Sequence, residues 1–493
     1  MYYLGIDLGS SSIKIALVEI DTGKSLGVVQ EPEKEMVIYA LKKGWAEQDP
    51  KDWWKHVCNG IHKIKESFDV TKEEIKGVGI AYQMHGLVLI DKEGNSLRNS
   101  IIWCDSRAVE IGNKAYEHIG KAICDNELLN SPANFTASKL KWVKDNEPEN
   151  FKKLYKYMLP GDYIAFRLTN SVSTTISGLS EGVFWNFKKD TISKDILGYF
   201  NFSEELVPTI VDTFSNQGIV SKEGAVESGL EEGIPIYYRA GDQPNNALSL
   251  NVFNLGEVAA TGGTSGVVYA ITDNLSVKES SRVNNFAHVN YKKGGGKNIG
   301  KLLCINGAGI QYRWLLNNLA VSSYEEMNSL ANEVMVGSDG VCVLPFGNGA
   351  ERMLLNQDLG TRILNLDLNR HTKSHLCRAA LEGVAFSFVY GIELMKSDGI
   401  ETKVIRAGND NLFRSKIFSN TIATLIGQEI EIYNTTGAIG AARACVISTQ
   451  GFDKFTSFME NDHVMTYKPL ADKEDYKKAY ENWKKELELI IKA

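Results

Sequence analysis

One pattern occurs twice in this chain, and it is the feature that most constrains the fold. Each copy places a cluster of glycine, serine and threonine at a turn between two apolar, strand-like runs. The first copy lies at Gly5–Lys14 and the second at Ala260–Gly266. Recurrence of a supersecondary unit is typical of duplicated architectures. We therefore expect two related lobes, each built around a strand, turn, strand unit.

The remaining pattern of the first half predicts alternating strands and helices. Tyr3–Gln30 has the strand-like runs and turns of a β-meander, and a helical pattern with apolar residues three and four apart begins near Glu47. Lys76–Ala81 is strand-like again. This order is typical of α/β layers, so the sequence predicts an α/β protein.

The length of the chain favours two domains, because 493 residues exceed what one ordinary core accommodates. An acidic, glycine-bearing connection at Glu227–Gly233 precedes a renewed strand pattern. We therefore expect an N-terminal domain at 1–241 and a C-terminal domain at 242–493. The second half also predicts a long apolar helix at His375–Met395 and an amphipathic helix at Lys473–Lys492.

Charge and composition argue against several classes of protein. A net charge of −7 and a pI near 5.8 provide no general attraction to nucleic acid or anionic membranes. The seven cysteines form no CxxC pair, so neither a zinc site nor a disulfide framework is indicated. The N-terminus lacks the pattern of a signal peptide, and glycines interrupt the longest uncharged stretch, at Val258–Thr272. We expect a cytoplasmic protein.

Asp242 is the candidate proton acceptor of the chain. It lies between the extended apolar run Ile234–Tyr238 and a segment of small residues, a placement that suits a general base at the floor of a cleft. A lone aspartate at such a turn is more often a turn former or a helix N-cap. The two Gly/Ser/Thr turns, which suit phosphate binding, shift the balance toward function. A base together with two phosphate-binding turns indicates a kinase.

Several motifs resemble those of one family. In order along the chain they are the Asp7 hairpin, Met84–Gly86, Trp103–Arg107, Gly241–Gln243, Gly262–Gly266 and Gly437–Ala442. This order resembles the FGGY carbohydrate kinases over essentially the whole chain. The resemblance implies a two-lobed actin-like ATPase fold, with a ribonuclease-H-like sheet in each lobe and the active site in the cleft between them.

Within that family, Gln83–Gly86 followed by Trp-x-Asp-x-Arg, and the early segment Trp45–Pro50, most resemble xylulokinases. The resemblance implies phosphorylation of D-xylulose to D-xylulose 5-phosphate by ATP and magnesium, and it makes a homodimer plausible. Met84 and His85 would contact the sugar. The expected substrate-binding set is completed by Trp103, Asp105, Arg107, Asp242 and Gln243. Asp105 and Arg107 fit equally well as a charged pair that fixes their loop.

The two turns would hold the nucleotide from both lobes. In the first, Ser10, Ser11 and Ser12 offer donors to phosphate oxygens and Lys14 offers a positive charge. Asp7 would orient magnesium through water, because this ion keeps part of its hydration shell. In the second turn, Gly263 and Thr264 would grip the phosphates. The alternative for each turn is a structural hairpin without a ligand.

The sequence departs from the family pattern in three places. Arg406–Asn411 replaces a glycine-rich turn, so the adenosine contact is expected at Gly408 and Asn409. Gly349–Leu354 keeps a charged pair, Glu351 and Arg352, but changes beyond it. Asn134 replaces an aromatic or small residue in a signature that also contains Lys139 and Trp142, for which we expect a packing role.

Two alternatives to D-xylulose phosphorylation stay open. The first is a kinase of another polyol or ketose, such as L-ribulose, L-xylulose or glycerol, and only the segment around Met84 and His85 argues against it. The second is a noncatalytic sugar- or nucleotide-binding regulator on the same fold. Retention of Asp7 and Asp242 disfavours the regulator, because a binder needs no base.

Overall fold

The computed structural model describes residues 1–278 and 280–492. The strands of the first half are β1 (Tyr2–Leu8), β2 (Ile13–Glu19), β3 (Ser25–Glu31), β4 (Glu47–Gln48), β5 (Ile75–Tyr82), β6 (Val88–Ile90), β7 (Ser100–Ile101), β8 (Lys156–Met158), β9 (Ser173–Thr175), β10 (Trp185–Asn186), β11 (Thr191–Ile192), β12 (Thr209–Val211) and β13 (Ile236–Gly241). Its helices are α1 (Pro50–Phe68), α2 (Val109–Ile119), α3 (Lys121–Ile123), α4 (Thr136–Asn146), α5 (Pro148–Lys153), α6 (Pro160–Thr169), α7 (Ile176–Glu181), α8 (Lys194–Phe200), α9 (Lys222–Ser228) and α10 (Asp242–Ser249).

The second half is organised in the same way. Its strands are β14 (Glu257–Gly262), β15 (Gly266–Thr272), β16 (Asn284–Ala287), β17 (Ile299–Ile305), β18 (Cys342–Phe346), β19 (Gly360–Leu364), β20 (Val404–Gly408), β21 (Ile430–Tyr433) and β22 (His463–Tyr467). Its helices are α11 (Gly309–Asn318), α12 (Tyr324–Asn332), α13 (Lys373–Ser397), α14 (Lys416–Ile426), α15 (Gly437–Gln450), α16 (Phe452–Met459) and α17 (Lys473–Lys492).

The two main sheets share one topology. The first sheet has the order β13-β5-β1-β2-β3, with antiparallel β1, β2 and β3 and with β5 and β13 parallel to β1. In the second sheet, β21-β20-β14-β15-β17 repeats this order and these directions, and β16 and β22 extend its edges. The predicted α/β class and the two related lobes are confirmed.

Helix α1 illustrates how local sequence builds these layers. Asp49 caps its N-terminus by accepting a hydrogen bond from the Lys51 amide at 2.9 Å, and Pro50 occupies the first turn, where its missing amide costs nothing. Trp53, Val57 and other apolar residues at helical spacing are buried on one side. That side packs on β2 and β3 and forms part of the core of the first lobe.

Helix α15 belongs to the C-terminal half of the chain but packs against β1 and β5 of the first sheet. The close approach depends on two glycines. A methyl group on Gly5 would overlap the carbonyl oxygen of Ala438, and one on Gly79 would overlap that of Ala441. Because β1 leads into the Gly9–Ser12 turn, this packing also fixes the position of that turn relative to α15.

Substitution of Gly79 by alanine should destabilise the protein by about 1–3 kcal/mol, because the added methyl group must push α15 away from the sheet. Gly198 in α8 is a matched control, since a methyl group there meets no atom within 4 Å. Gly198→Ala should be neutral or stabilising by up to about 1 kcal/mol. Urea unfolding of both variants measures the difference. Equal changes in the free energy of unfolding would show that close packing of α15 against Gly79 does not contribute to stability.

A membrane-spanning helix would have to be both long and strongly apolar, and none of the helices in the described ranges has both properties.

All seven cysteines are free thiols.

Candidate active site

The carboxyl ends of three parallel strands meet at one edge of the first sheet. Leu8 and Gly241 are both paired with Tyr82, so the residues that follow β1, β5 and β13 lie side by side. Open α/β sheets bind ligands at this edge. A cavity of about 250 Å³ opens there. It is lined by Asp7, Gly9, Ser10, Ser11, Ser12, Lys14, Gln83, Trp103 and Asp242.

The first Gly/Ser turn is held from several sides. The Gly9 amide donates to the Ser12 carbonyl oxygen at 3.1 Å and closes the hairpin. The Gln48 side chain donates to the Ser10 carbonyl oxygen at 2.7 Å, and the Trp103 indole donates to the Ser10 hydroxyl at 3.3 Å. The hydroxyls and amides of the turn are therefore positioned before any ligand arrives.

Asp242 lies in an environment that shifts its pKa toward neutral pH. It begins α10 and is partly buried. Burial, and secondly the negative charge of Asp7, raise its pKa to about 7, while hydrogen bonds from Gln243 oppose the shift. Burial also raises the pKa of Asp7, and the nearby Lys14 ammonium opposes that change. A carboxyl with a pKa close to the working pH takes up and releases a proton readily.

Met84 and His85 form the turn that follows β5. Met84 is buried beside Gly241, and His85 has a left-handed backbone with φ of 62°. His85 Nδ1 lies 3.0 Å from the carbonyl oxygen of Glu181 and must donate to it, which leaves Nε2 as a hydrogen-bond acceptor. Burial, reinforced by Lys139, lowers the pKa of His85 to about 3, so its ring is neutral.

Lys139 is more than a packing residue. Its ammonium is buried and donates to the carbonyl oxygens of His85 at 2.9 Å and of Ile102 at 3.0 Å. Burial lowers the pKa of Lys139 to about 7. This one side chain therefore ties the His85 turn to the loop that carries Trp103, and the expectation of packing alone was incomplete.

Asp105 and Arg107 form a buried ion pair. The guanidinium Nη2 lies 2.6 Å from Asp105 Oδ2, and Nη1 lies 2.6 Å from a carboxylate oxygen of Glu47. The Asp105 carboxylate also accepts a hydrogen bond from the Ala46 amide at 2.6 Å. This geometry favours the loop-fixing interpretation over the sugar-wall one. Trp103, which is 51% exposed, is the residue of this segment that reaches the cavity.

The second Gly/Thr turn faces a larger cavity of about 690 Å³ in the second lobe. The amides of Gly309 and Ile310, at the start of α11, donate to the carbonyl oxygens of Gly263 and Thr264, each at 3.0 Å. The volume lies in the range of small-molecule sites. Its lining includes Gly262, Gly263, Thr264, Gly309, Tyr312, Arg313, Tyr324, Asn328, Asn411, Arg414, Ser415 and Lys416.

The expected nucleotide contacts Gly408 and Asn409 lie at the end of β20 but are not among the residues that line this cavity in the described part of the chain. The Asn409 amide instead donates to the Tyr433 carbonyl oxygen at 2.8 Å. The residues that follow, beginning with Asn411, take the lining positions. Sequence reasoning did not single out three basic residues that line this cavity, Arg313, Arg414 and Lys416. For Arg414 and Lys416 the available signal was Ser415, the N-cap of α14.

The other two departures from the family pattern have structural explanations. Glu351 is fully buried and accepts hydrogen bonds from the amides of Asn306 and Gly307 at 2.9 and 2.8 Å, whereas Arg352 donates to the Ser280 carbonyl oxygen. Both charged residues of the motif are kept, and within 1–278 and 280–492 no ion pair joins Glu351 to Arg352. Asn134 has φ of 64°, a conformation that asparagine tolerates better than most residues.

The chain is similar to known proteins over nearly its whole length. Residues 2–249 match the N-terminal domain, and residues 258–449 the C-terminal domain, of the FGGY family of carbohydrate kinases. The chain is similar to the xylulose kinases of Bacillus subtilis, at 28% identity over 98% of this chain and 97% of that one, and of Haemophilus influenzae, at 26% identity over 98% of each. A crystal structure of a xyloylose kinase from Brucella ovis superimposes with a TM-score of 0.88, at 26% identity over 99% of both chains.

Proposed function

The chain belongs to the FGGY family of carbohydrate kinases, and from that premise we propose that it phosphorylates D-xylulose to D-xylulose 5-phosphate with ATP, using Asp242 as the general base. The observation that carries the proposed base is the placement of Asp242 in the same cavity as the phosphate-binding Ser10–Ser12 turn, with a pKa near 7. Similarity to xylulose kinases over nearly the full length supports the choice of sugar.

Asp242 would accept the proton of the acceptor hydroxyl as the bond from that oxygen to the γ-phosphorus forms and the bond to the β,γ-bridging oxygen of ATP breaks. A sugar hydroxyl is a weak nucleophile near neutral pH, so this help is worth about 10²–10⁴ in rate. Ser10, Ser11, Ser12 and Lys14 would hold phosphate oxygens from one lobe, and Gly263 and Thr264 from the other. ATP would then bridge the cleft, and closure would exclude water.

Magnesium fits the residues that are present if it is held mainly by phosphate oxygens and water, with Asp7 orienting one of the waters. Among the described residues no cluster of three or more histidine, cysteine, aspartate or glutamate side chains could hold a metal by itself. When bound, the ion would neutralise charge that develops on the leaving phosphate. Lys14, placed near Asp7, would share that task.

For the sugar, Met84, His85, Trp103 and Gln243 are the proposed contacts. His85 would accept a hydrogen bond at Nε2 from a hydroxyl of the sugar, because its Nδ1 is committed to a carbonyl oxygen. Asp105 and Arg107 would act through the loop that they fix. Contacts of Gly408 and Asn409 with adenosine remain part of the proposal.

The remaining parts of the proposal concern organisation. The domains would be 1–241 and 242–493, and the protein would be a cytoplasmic homodimer that binds neither nucleic acid nor membranes. Analytical ultracentrifugation of the purified protein tests the dimer.

The experiment that tests the function is a coupled assay of ADP release with ATP and magnesium. D-xylulose, L-xylulose, D-ribulose, L-ribulose and glycerol are compared as acceptors, and D-xylulose should give the largest kcat/KM. Faster turnover of another acceptor would keep the mechanism and replace the sugar. Folded protein that releases no sugar-dependent ADP would support the noncatalytic regulator.

The pH dependence of kcat/KM should report Asp242. Because the base must be ionised and its pKa is raised to about 7, activity should rise with pH through that region and level off above it. An ordinary aspartate would place the rise near its usual value of 3.8. The assay uses buffers of constant ionic strength. A profile that is already flat at acidic pH would exclude Asp242 as a base with this environment.

A further inference from the structure

Glu181 is a buried acid that the proposed mechanism does not use. It ends α7, a one-and-a-half-turn helix whose residues are all buried and whose N-terminus is capped by Thr175. Glu181 is only 1% exposed. No hydrogen bond of good geometry reaches its carboxyl oxygens among the described residues, although the Tyr82 hydroxyl and the His85 amide lie near enough to interact with them. Buried polar groups without partners are rare in proteins and call for an explanation.

Its position links the two groups proposed to handle the acceptor. The main-chain carbonyl of Glu181 receives the hydrogen bond from His85 Nδ1 at 3.0 Å. The carboxyl group packs against the Gly241–Asp242 segment, where β13 runs into α10. A methyl group on Gly241 would lie 2.9 Å from Glu181 Oε2 and 2.5 Å from the Met84 side chain. Glu181 therefore contacts both the His85 turn and the Gly241–Asp242 segment.

Burial of Glu181 outweighs the neighbouring groups that would favour its anion. The titratable groups that face it are Tyr82, His85, Lys139, Asp162, Asp242 and Tyr269. Lys139 is committed to the carbonyl oxygens of His85 and Ile102, and Asp162 is paired with Arg239 at 3.0 Å. Burial raises the pKa of Glu181 well above its ordinary value. The Tyr82 hydroxyl opposes this shift by hydrogen bonding, and the charge of Asp242 adds to it.

We propose that Glu181 is a positioning residue of the acceptor site. It works as a neutral carboxylic acid that holds the His85 turn against the Gly241–Asp242 segment. An ionised Glu181 would place a second negative charge beside Asp242. A neutral one fills the same space and leaves the titration of Asp242 to burial and to Asp7. The proposal rests on the proposed function, because it takes His85 and Asp242 as acceptor-site residues.

Two substitutions separate shape from charge. Glu181→Gln keeps the shape and cannot ionise, so the acid limb of kcat/KM should stay where the wild type has it. Glu181→Ala leaves a cavity between the His85 turn and the Gly241–Asp242 segment. It should raise the KM for the sugar by about tenfold or more, with unchanged nucleotide affinity. Glu382→Gln is the matched control, since Glu382 is also a buried acid of raised pKa but lies on α13, and it should leave both readouts unchanged.

Kinetic outcomes decide the proposal. A shift of the acid limb to lower pH in Glu181→Gln would mean that the wild-type residue is ionised and raises the pKa of Asp242, which would overturn the neutral form. An unchanged sugar KM in Glu181→Ala would overturn the positioning role. A KM increase in Glu181→Ala with the wild-type acid limb kept in Glu181→Gln would support it.

An unfolding experiment keeps the test independent of turnover. An acid whose pKa is raised in the folded state loses stabilising effect as pH rises above its ordinary value of 4.5, because the unfolded chain releases the proton first. Glu181→Gln should therefore gain stability over the wild type as the pH rises above 4.5 in urea unfolding. No relative gain would overturn the neutral form. A wild type without sugar-dependent ADP release would overturn the proposed function, and this comparison would still test the protonation of Glu181.

Discussion

Replacement of Asp242 by asparagine should lower kcat by about 10²–10⁴-fold, or about 3–5 kcal/mol of activation free energy. The amide has nearly the same shape but cannot accept the proton of the sugar hydroxyl at the moment of transfer. Nucleotide affinity should be maintained or should increase, because the substitution removes a negative charge beside Asp7 and the phosphate-binding turn. Single-turnover ADP formation and calorimetric titration with ADP measure the two quantities.

The control is Asp453→Asn, an exposed aspartate in the first turn of α16, which should keep wild-type turnover. The acid limb near pH 7 should also disappear from the residual activity of Asp242→Asn, since the titrating group is gone. Turnover of the wild-type order in Asp242→Asn would contradict the assignment of the base and leave only positioning and charge stabilisation as sources of catalysis.

Removal of the Asp398 carboxylate should produce the largest loss of stability. Lys301 Nζ lies 2.8 Å from Asp398 Oδ2, and both side chains are completely buried at the end of α13. Asp398 Oδ1 also accepts the Lys278 amide at 2.9 Å. Asp398→Ala leaves a buried ammonium without its partner, and the cost of such a loss is about 3–5 kcal/mol. Urea unfolding followed by fluorescence measures it.

Two further variants define this effect. Glu110→Ala removes an exposed partner of Lys114, whose ion pair spans 3.6 Å at the surface, and should cost no more than about 1 kcal/mol. The double variant Lys301→Met with Asp398→Leu replaces the buried pair by apolar side chains and should recover most of the lost stability. A single Asp398→Ala variant as stable as Glu110→Ala would contradict the role of the buried pair.

The parts of the fold that follow from local patterns were predicted correctly. The meander of β1, β2 and β3 has strand-like runs separated by turns, of which Asp21-Thr22-Gly23 lies between β2 and β3. Helix α17 spans the predicted Lys473–Lys492 because its apolar residues recur at helical spacing. Helix α7 was missed. All of its residues are buried, so it presents no contrast between an apolar and a polar face that a periodicity could detect.

The candidate site divides in the same way. The two Gly/Ser/Thr turns were recognised because glycine and small hydroxyl residues are needed locally, in the turn itself. The residues that line the larger cavity of the second lobe, such as Arg313 and Arg414, were not singled out, because they come from separate helices and loops that only the fold of the second lobe brings together. The ion pair of Asp105 and Arg107 likewise depends on Glu47 and Ala46, far away in sequence.

The sequence by itself determined the family, the two-lobed α/β architecture and the order in which Asp7, His85 and Asp242 occur. Tertiary structure decided their protonation. The pKa of Asp242 depends on burial at the carboxyl edge of the first sheet and on the charge of Asp7, and the neutral ring of His85 depends on burial and on Lys139 from α4. Desolvation and Coulomb interactions act through space, so residues distant in sequence set the chemistry of the site.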